Sequence, residues 1–136
     1  MTNQDKKEYL RRYRTADDEI NDLLREKERI LSRLTRMTAS ATRMPHGGGD
    51  TDQLTNGVAK IIELEKEIDA KVDKLVELRR EIEAGIETVD SSTQRRLLKL
   101  RYIDGMTWER VAVEMNYSYM QVCRLHGKAL NALKML

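Results

Sequence analysis

Between residues 3 and 44 the apolar positions recur every seven residues along two seams. One seam holds Tyr13, Ile20, Lys27, Leu34 and Ala41; the other holds Ala16, Leu23, Ile30, Met37 and Met44. A seven-residue repeat keeps both seams on one stripe of a helix, which predicts a long coiled-coil helix over this stretch. Lys27 is the polar exception, either a register device or a long side chain that carries its charge out to water. The pattern stops at Pro45-His46-Gly47-Gly48-Gly49-Asp50-Thr51. Pro45 disfavours helical geometry at Met44, and three consecutive glycines cannot sustain a helix, so a reversal loop is expected there. A second long helix is predicted from Asp52 to about Ile86, capped by Asp50 or Thr51. Its stripe is Leu54, Val58, Ile61, Leu64, Ile68, Val72, Leu75, Leu78, Ile82 and Ile86, in steps of three and four. Two helices of similar length on either side of a short loop fold back most simply as an antiparallel hairpin.

The period then changes. A hinge is expected from Glu87 to Thr93, where Ser91 and Gln94 stand at capping-box spacing and start a helix running from Thr93 to Ile103. Gly105 ends that helix in the C′ position. Thr107 is an N-cap residue, and Trp108, Val111, Ala112 and Met115 follow it at the i, i+3, i+4, i+7 spacing of a short amphipathic helix. Asn116, which tolerates positive φ, stops this helix; Tyr117 fills the corner, and Ser118 caps a last helix that runs to the end of the chain. The inward face of that helix is Val122, Leu125, Ala129, Leu133 and Leu136, and the expected core is Leu97, Leu100, Ile103, Trp108, Val111, Met115, Val122, Leu125 and Leu133. Two helices joined by a turn this tight make a helix-turn-helix. The expected fold is therefore all-α: a long antiparallel helical hairpin (coiled coil) over 1–86, then a three-helix helix-turn-helix domain over 91–136.

Within the second part, Leu100-Arg101-Tyr102, Asp104-Gly105, Thr107-Trp108, Val111-Ala112, Asn116-Tyr117-Ser118, Val122 and Ala129-Leu130 resemble region 4 of bacterial sigma factors. The stretch is more similar still to small phage and prophage transcriptional regulators of the ArpU/RinA-like group. That resemblance covers about a third of the chain. It implies phage gene control, contact with RNA polymerase as a possible partner, and base-reading positions at Tyr119, Met120, Cys123 and Arg124. Tyr119 and Met120 depart from the sigma pattern, which has charged or polar residues just after the cap.

Composition narrows the alternatives. Charged residues make up 35% of the chain and aromatic residues 4%, with no Phe, which suits long exposed helices better than one large core. A single Cys excludes an internal disulfide and a cysteine-based zinc site, and no apolar run reaches the length of a membrane span. A soluble cytoplasmic protein is the expectation. The net charge of +2 is unevenly spread. Residues 1–45 carry eleven basic and eight acidic groups, residues 46–90 six and twelve, and residues 91–136 eight and three. The positive excess falls on the helix-turn-helix segment, where neutralising phosphates would need it.

The N-terminal part of the second helix in such a motif reaches base edges. There Arg124 is suited to a guanine and Gln121 to an adenine, and Met120 to a thymine methyl. Phosphate contacts would fall to Ser118, Arg110 and Lys128, and to Arg95, Arg96 and Lys99 on the preceding helix. His46 and His126 have no partner at ligand spacing, so no metal site or cofactor is expected. The glycine run lacks the Gly-Lys-Ser/Thr ending of a phosphate loop, and no catalytic constellation is visible. The hairpin buries little by itself, so a homodimer or higher homo-oligomer is expected, with DNA half-sites read by the C-terminal domains. The main expectation is a sequence-specific transcriptional regulator bound to double-stranded DNA. A small terminase subunit of a phage packaging motor and a protein-binding scaffold are the alternatives.

Overall fold

A computed structural model describes the backbone of residues 1–41 and 49–135 and the side chains of residues 1–39 and 52–135. Five α-helices account for nearly all of it: α1 (Asn3–Ala41), α2 (Gly49–Glu87), α3 (Ser92–Leu98), α4 (Trp108–Met115) and α5 (Tyr119–Ala132). A π-helical turn, Lys99–Ile103, continues α3. No strand occurs among the described residues. The seam position Met44, the loop residues Pro45 to Gly48 with His46, and the terminal Leu136 lie outside the described residues. Helix α2 begins at Gly49, so Asp50 and Thr51, expected as caps, lie inside its first turn.

The chain packs as two compact units. One is Asp18–Lys74, the middle of α1 with the first part of α2. Ile20, Leu34, Ile61, Leu64 and Ile68 are buried in it, and the second seam residues Leu23, Ile30 and Met37 are half-buried. The helices run antiparallel: Glu19 pairs with Lys71 at 3.4 Å, Lys27 pairs with Glu65 at 3.2 Å, and Leu34 lies against Gly57. A Cβ at Gly57 would meet the Leu34 methyls, so the missing side chain lets that leucine in. Lys27 stays half-buried along its stem and pairs its ammonium with Glu65 on the facing helix, a contact that fits both of its readings. Leu24, Leu31, Leu54, Val58, Ile62 and Val72 of this unit are left exposed.

The other unit comprises Met1–Asp17 and Leu75–Leu136. Its core joins Leu10 and Tyr13 of α1, Ile82 and Ile86 of α2, and Val89 to Leu97, Leu98, Tyr102, Ile103, Val111, Ala112, Met115, Val122, Ala129, Leu130 and Leu133. By packing, then, the helix-turn-helix does not stand on residues 91–136 alone. The ends of both long helices lend it their apolar faces. Lys6 Nζ donates to the Leu130 carbonyl at 2.7 Å, the Asn3 side-chain amide donates to Asn131 Oδ1 at 2.8 Å, and the Tyr9 hydroxyl donates to Glu81 at 2.8 Å. Burial, then the Glu81 carboxylate, pushes the Tyr9 hydroxyl up to about 12.

Local signals place the short helices. Ser91 Oγ accepts from Gln94 N–H and caps α3. In the π turn, Asp104 N–H reaches the Lys99 carbonyl at 2.9 Å, one residue further back than in an α-helix. Tyr102 and Ile103 of this turn are both buried, and they continue the inward face that Leu97 and Leu98 begin on α3. Gly105, at φ 71°, ends the turn as expected, and Thr107 Oγ1 accepts from Arg110 N–H to cap α4. Helix α5 stops at Ala132, short of the expected run to the terminus. Leu133 turns extended, and Lys134 N–H donates to Thr88 Oγ1 at 3.1 Å. That sends Leu133 into the core from outside the helix.

Candidate nucleic-acid interface

The turn between α4 and α5 is fixed by one residue. Asn116 sits in the left-handed region at φ 62° and ψ 37°, the only non-glycine with positive φ among the described residues. Tyr117 N–H then bonds back to the Ala112 carbonyl at 3.0 Å. Ser118 opens α5 with a full capping box: its Oγ accepts from Gln121 N–H, and Gln121 Oε1 accepts from Ser118 N–H at 2.8 Å. Val122, Ala129 and Leu130 bury the inner face of α5, and Leu125 is half-buried. Leu130 was missing from the expected inward face.

The outer face is open. Tyr119 is 51% exposed and Met120 64% exposed, and Gln121, Cys123, Arg124 and Lys128 are also exposed. Tyr117 does not plug the corner. It lies on the surface, where with Gln121, Arg124, Leu125 and Lys128 it lines an open hollow of about 290 Å³. Arg124 and Lys128 form no ion pair among the described residues, so both charges face outward. The Tyr119 hydroxyl is raised above its ordinary value, chiefly by the Cys123 side chain one turn on. Gln121 differs from its neighbours. Its carbonyl oxygen already closes the capping box, so a bidentate pair with adenine requires that box to open.

The expected phosphate contacts divide in two. Ser118 presents its cap at the front of α5, and Lys128 flanks the same helix. Arg95 instead turns back to the hinge, where its guanidinium donates to the Val89 and Asp90 carbonyls at 2.6 and 2.8 Å. Lys99 pairs with Glu87 at 2.9 Å and holds that carboxyl below its ordinary value. Arg110 pairs with Glu114 at 2.8 Å on its own helix, and Arg96 reaches the Glu114 carbonyl at 3.4 Å. Each of these four side chains thus has a partner within the protein. Arg95 and Lys99 tie the hinge to α3, a structural use of charge that spacing alone does not reveal.

Beside α5 lies a cluster that the residue pattern did not single out. The Tyr102 hydroxyl is 2.8 Å from His126 Nε2, and the His126 ring stands 4.4 Å from that of Trp108. Arg101 covers Trp108 at 4.6 Å and donates to the Met106 carbonyl at 2.8 Å. Burial, then the charges of Lys7, Arg101 and Arg11, push the His126 imidazole down to about 4, so it is neutral at ordinary pH. Tyr102, Trp108 and His126 come from three successive elements, the π turn, α4 and α5, so no local spacing in the sequence announces the cluster.

The fold and this face define a helix-turn-helix protein with a helical hairpin, all-α throughout the described residues. Residues 25–134 match the model of a family described as a protein of unknown function (DUF722), and the chain belongs to that family. No curated protein and no solved structure matches it. Among the described residues no helix is long and apolar enough to cross a membrane, and no group of three or more His, Cys, Asp or Glu is placed to hold a metal ion.

Proposed function

We propose that this protein is a sequence-specific regulator of transcription that binds double-stranded DNA through α5. It would act as a homodimer or higher homo-oligomer joined by its hairpin. The observation that carries the reading is the two-sidedness of α5. Its inner face is locked to α3 and α4, and its outer face offers Tyr119, Met120, Arg124 and Lys128 without an internal use for either cation. A rigid helix with an open N-terminal half and free basic side chains suits a major groove. The resemblance to phage and prophage regulators supports gene control, with RNA polymerase as a further partner. The exposed Leu24, Leu31, Val58 and Ile62 of the hairpin support self-association, since a second copy would take them out of water.

One observation favours a second reading. Val113 on α4 is 70% exposed, and Tyr119 and Met120 on α5 are exposed as well, apolar surface that suits a protein partner. Selection on random duplex DNA with the full chain, at moderate salt, separates the readings. A recovered palindrome or direct repeat is expected for the regulator and gives its half-site spacing. Recovery without a motif fits a packaging subunit, and no recovery at low salt leaves the protein-binding scaffold.

A further inference from the structure

Helix α5 meets solvent along an outer face flanked by two edges. One edge carries Gln121 and Lys128, with Arg124 beside them. The other carries Tyr119 and Cys123 and turns inward at His126, which is held neutral. A helix lying in a major groove has a phosphate strand on each side. The second edge of α5 has no cation of its own to meet one.

The neighbouring elements supply them. Helix α1 docks beside α5, with Leu10 wholly buried, Lys6 bonded to the Leu130 carbonyl and Asn3 bonded to Asn131. Its buried side therefore faces α5 and its next face runs alongside. That face holds Lys7, Arg11 and Arg14, spaced i, i+4 and i+7. The Arg14 guanidinium lies against Gly105, in space that a Cβ there would fill. Arg101 extends the row across Trp108. The depressed His126 ring senses Lys7, Arg101 and Arg11 together, consistent with their converging on one side of α5. The acids close by are Asp17, 3.6 Å from Arg14, and Glu109, whose charge reaches Tyr119.

We propose that Lys7, Arg11 and Arg14 of α1, with Arg101 of the π turn, form a second phosphate-binding strip that grips duplex DNA along the cation-free edge of α5. The start of the long hairpin helix is then part of the DNA-binding surface. This rests on the DNA-binding reading above and adds to it a clamp that the helix-turn-helix lacks alone.

The test is the salt dependence of binding to the selected duplex, measured with the full chain. The strip variant Lys7→Gln/Arg11→Gln/Arg14→Gln is compared with a hairpin variant, Lys60→Gln/Lys66→Gln/Lys74→Gln, which loses the same net charge elsewhere. Each phosphate contact contributes about 0.9 to the slope of log affinity against log salt. The strip variant is expected to lower that slope by about two to three with the recovered sequence unchanged, and the hairpin variant to leave it in place. Equal slopes for wild type and strip variant, or equal losses in both variants, overturn the proposal while the DNA reading stands. Wild-type protein that binds no duplex overturns the DNA reading and the strip with it. If the triple variant fails to fold, the single exposed change Arg11→Gln decides, with a slope lower by about one expected and an unchanged slope refuting the strip.

Discussion

Asn116 shows how much one position decides. Its left-handed backbone lets α4 stop and α5 start within three residues. Asn116→Gly should be nearly neutral to stability, whereas Asn116→Val, with a branched Cβ in that region, should cost about 1–2 kcal/mol by denaturant unfolding. His126 makes a different demand. Its folded value of about 4 lies below its ordinary 6.5. Between those values the unfolded chain binds a proton that the folded chain does not. The stability associated with the neutral ring is therefore complete above 6.5 and is lost as pH falls through 4. Urea midpoints should decline through that window, and less so in His126→Gln; an imidazole titrating near 6.5 in the folded protein by NMR would rule this out. Arg124, by contrast, holds nothing together inside the molecule. Arg124→Ala should leave the thermal midpoint unchanged and cost about 1–3 kcal/mol on the selected duplex, with specificity relaxed at one base pair. A uniform loss over all sequences would reduce Arg124 to a phosphate contact.

At the scale of elements, the docking of α1 against α5 carries the sharpest expectation. Leu10 is wholly buried in the core of its unit, which it shares with residues of 82–133, far from it in sequence. Leu10→Ala should destabilise the unit by about 2–5 kcal/mol, while Leu24→Ala, on an exposed position, should cost far less. Equal, small effects in chemical denaturation would show that α1 contributes no core there. What was legible in the sequence follows from range. Thr107, Asn116, Ser118 and Gly105 act within a turn or two, so their residue types announce caps and stops. The seams of α1 were legible because a strict repeat survives any choice of partner: Ile20 and Leu34 are buried where the repeat puts them. The repeat is silent about what covers it. Tyr13 was read as part of a coiled coil, and it is buried instead with Leu10 in the helix-turn-helix core. The π turn was illegible because its single i to i+5 step leaves no mark in the residue types of Lys99 to Ile103. Arg95 and Lys99 belong with it: as types they are phosphate binders, and only the fold shows their hinge carbonyl and carboxylate partners.

The molecule as a whole leaves apolar surface on the hairpin unit, where Leu24, Leu31, Val58, Ile62 and Val72 stand exposed. If that surface joins two copies, light scattering on the full chain should give at least a dimer mass, and Leu24→Glu with Ile62→Glu should return it to monomer without lowering helix content. A monomeric wild type would remove the hairpin's part in the proposal. The pairing of Asn3 with Asn131 and of Lys6 with Leu130 has a further consequence, for the order of events during synthesis. Residues 18–74 contain both helical segments of their own packing and can close once both have left the ribosome. The residues around Leu10 cannot, because the surface that buries them is made much later. At roughly 5–20 residues per second, the start of the chain waits several seconds with an apolar face uncovered. For that interval Leu10 and Tyr13 are open to the wrong partner, the hazard that any transiently uncovered apolar face carries.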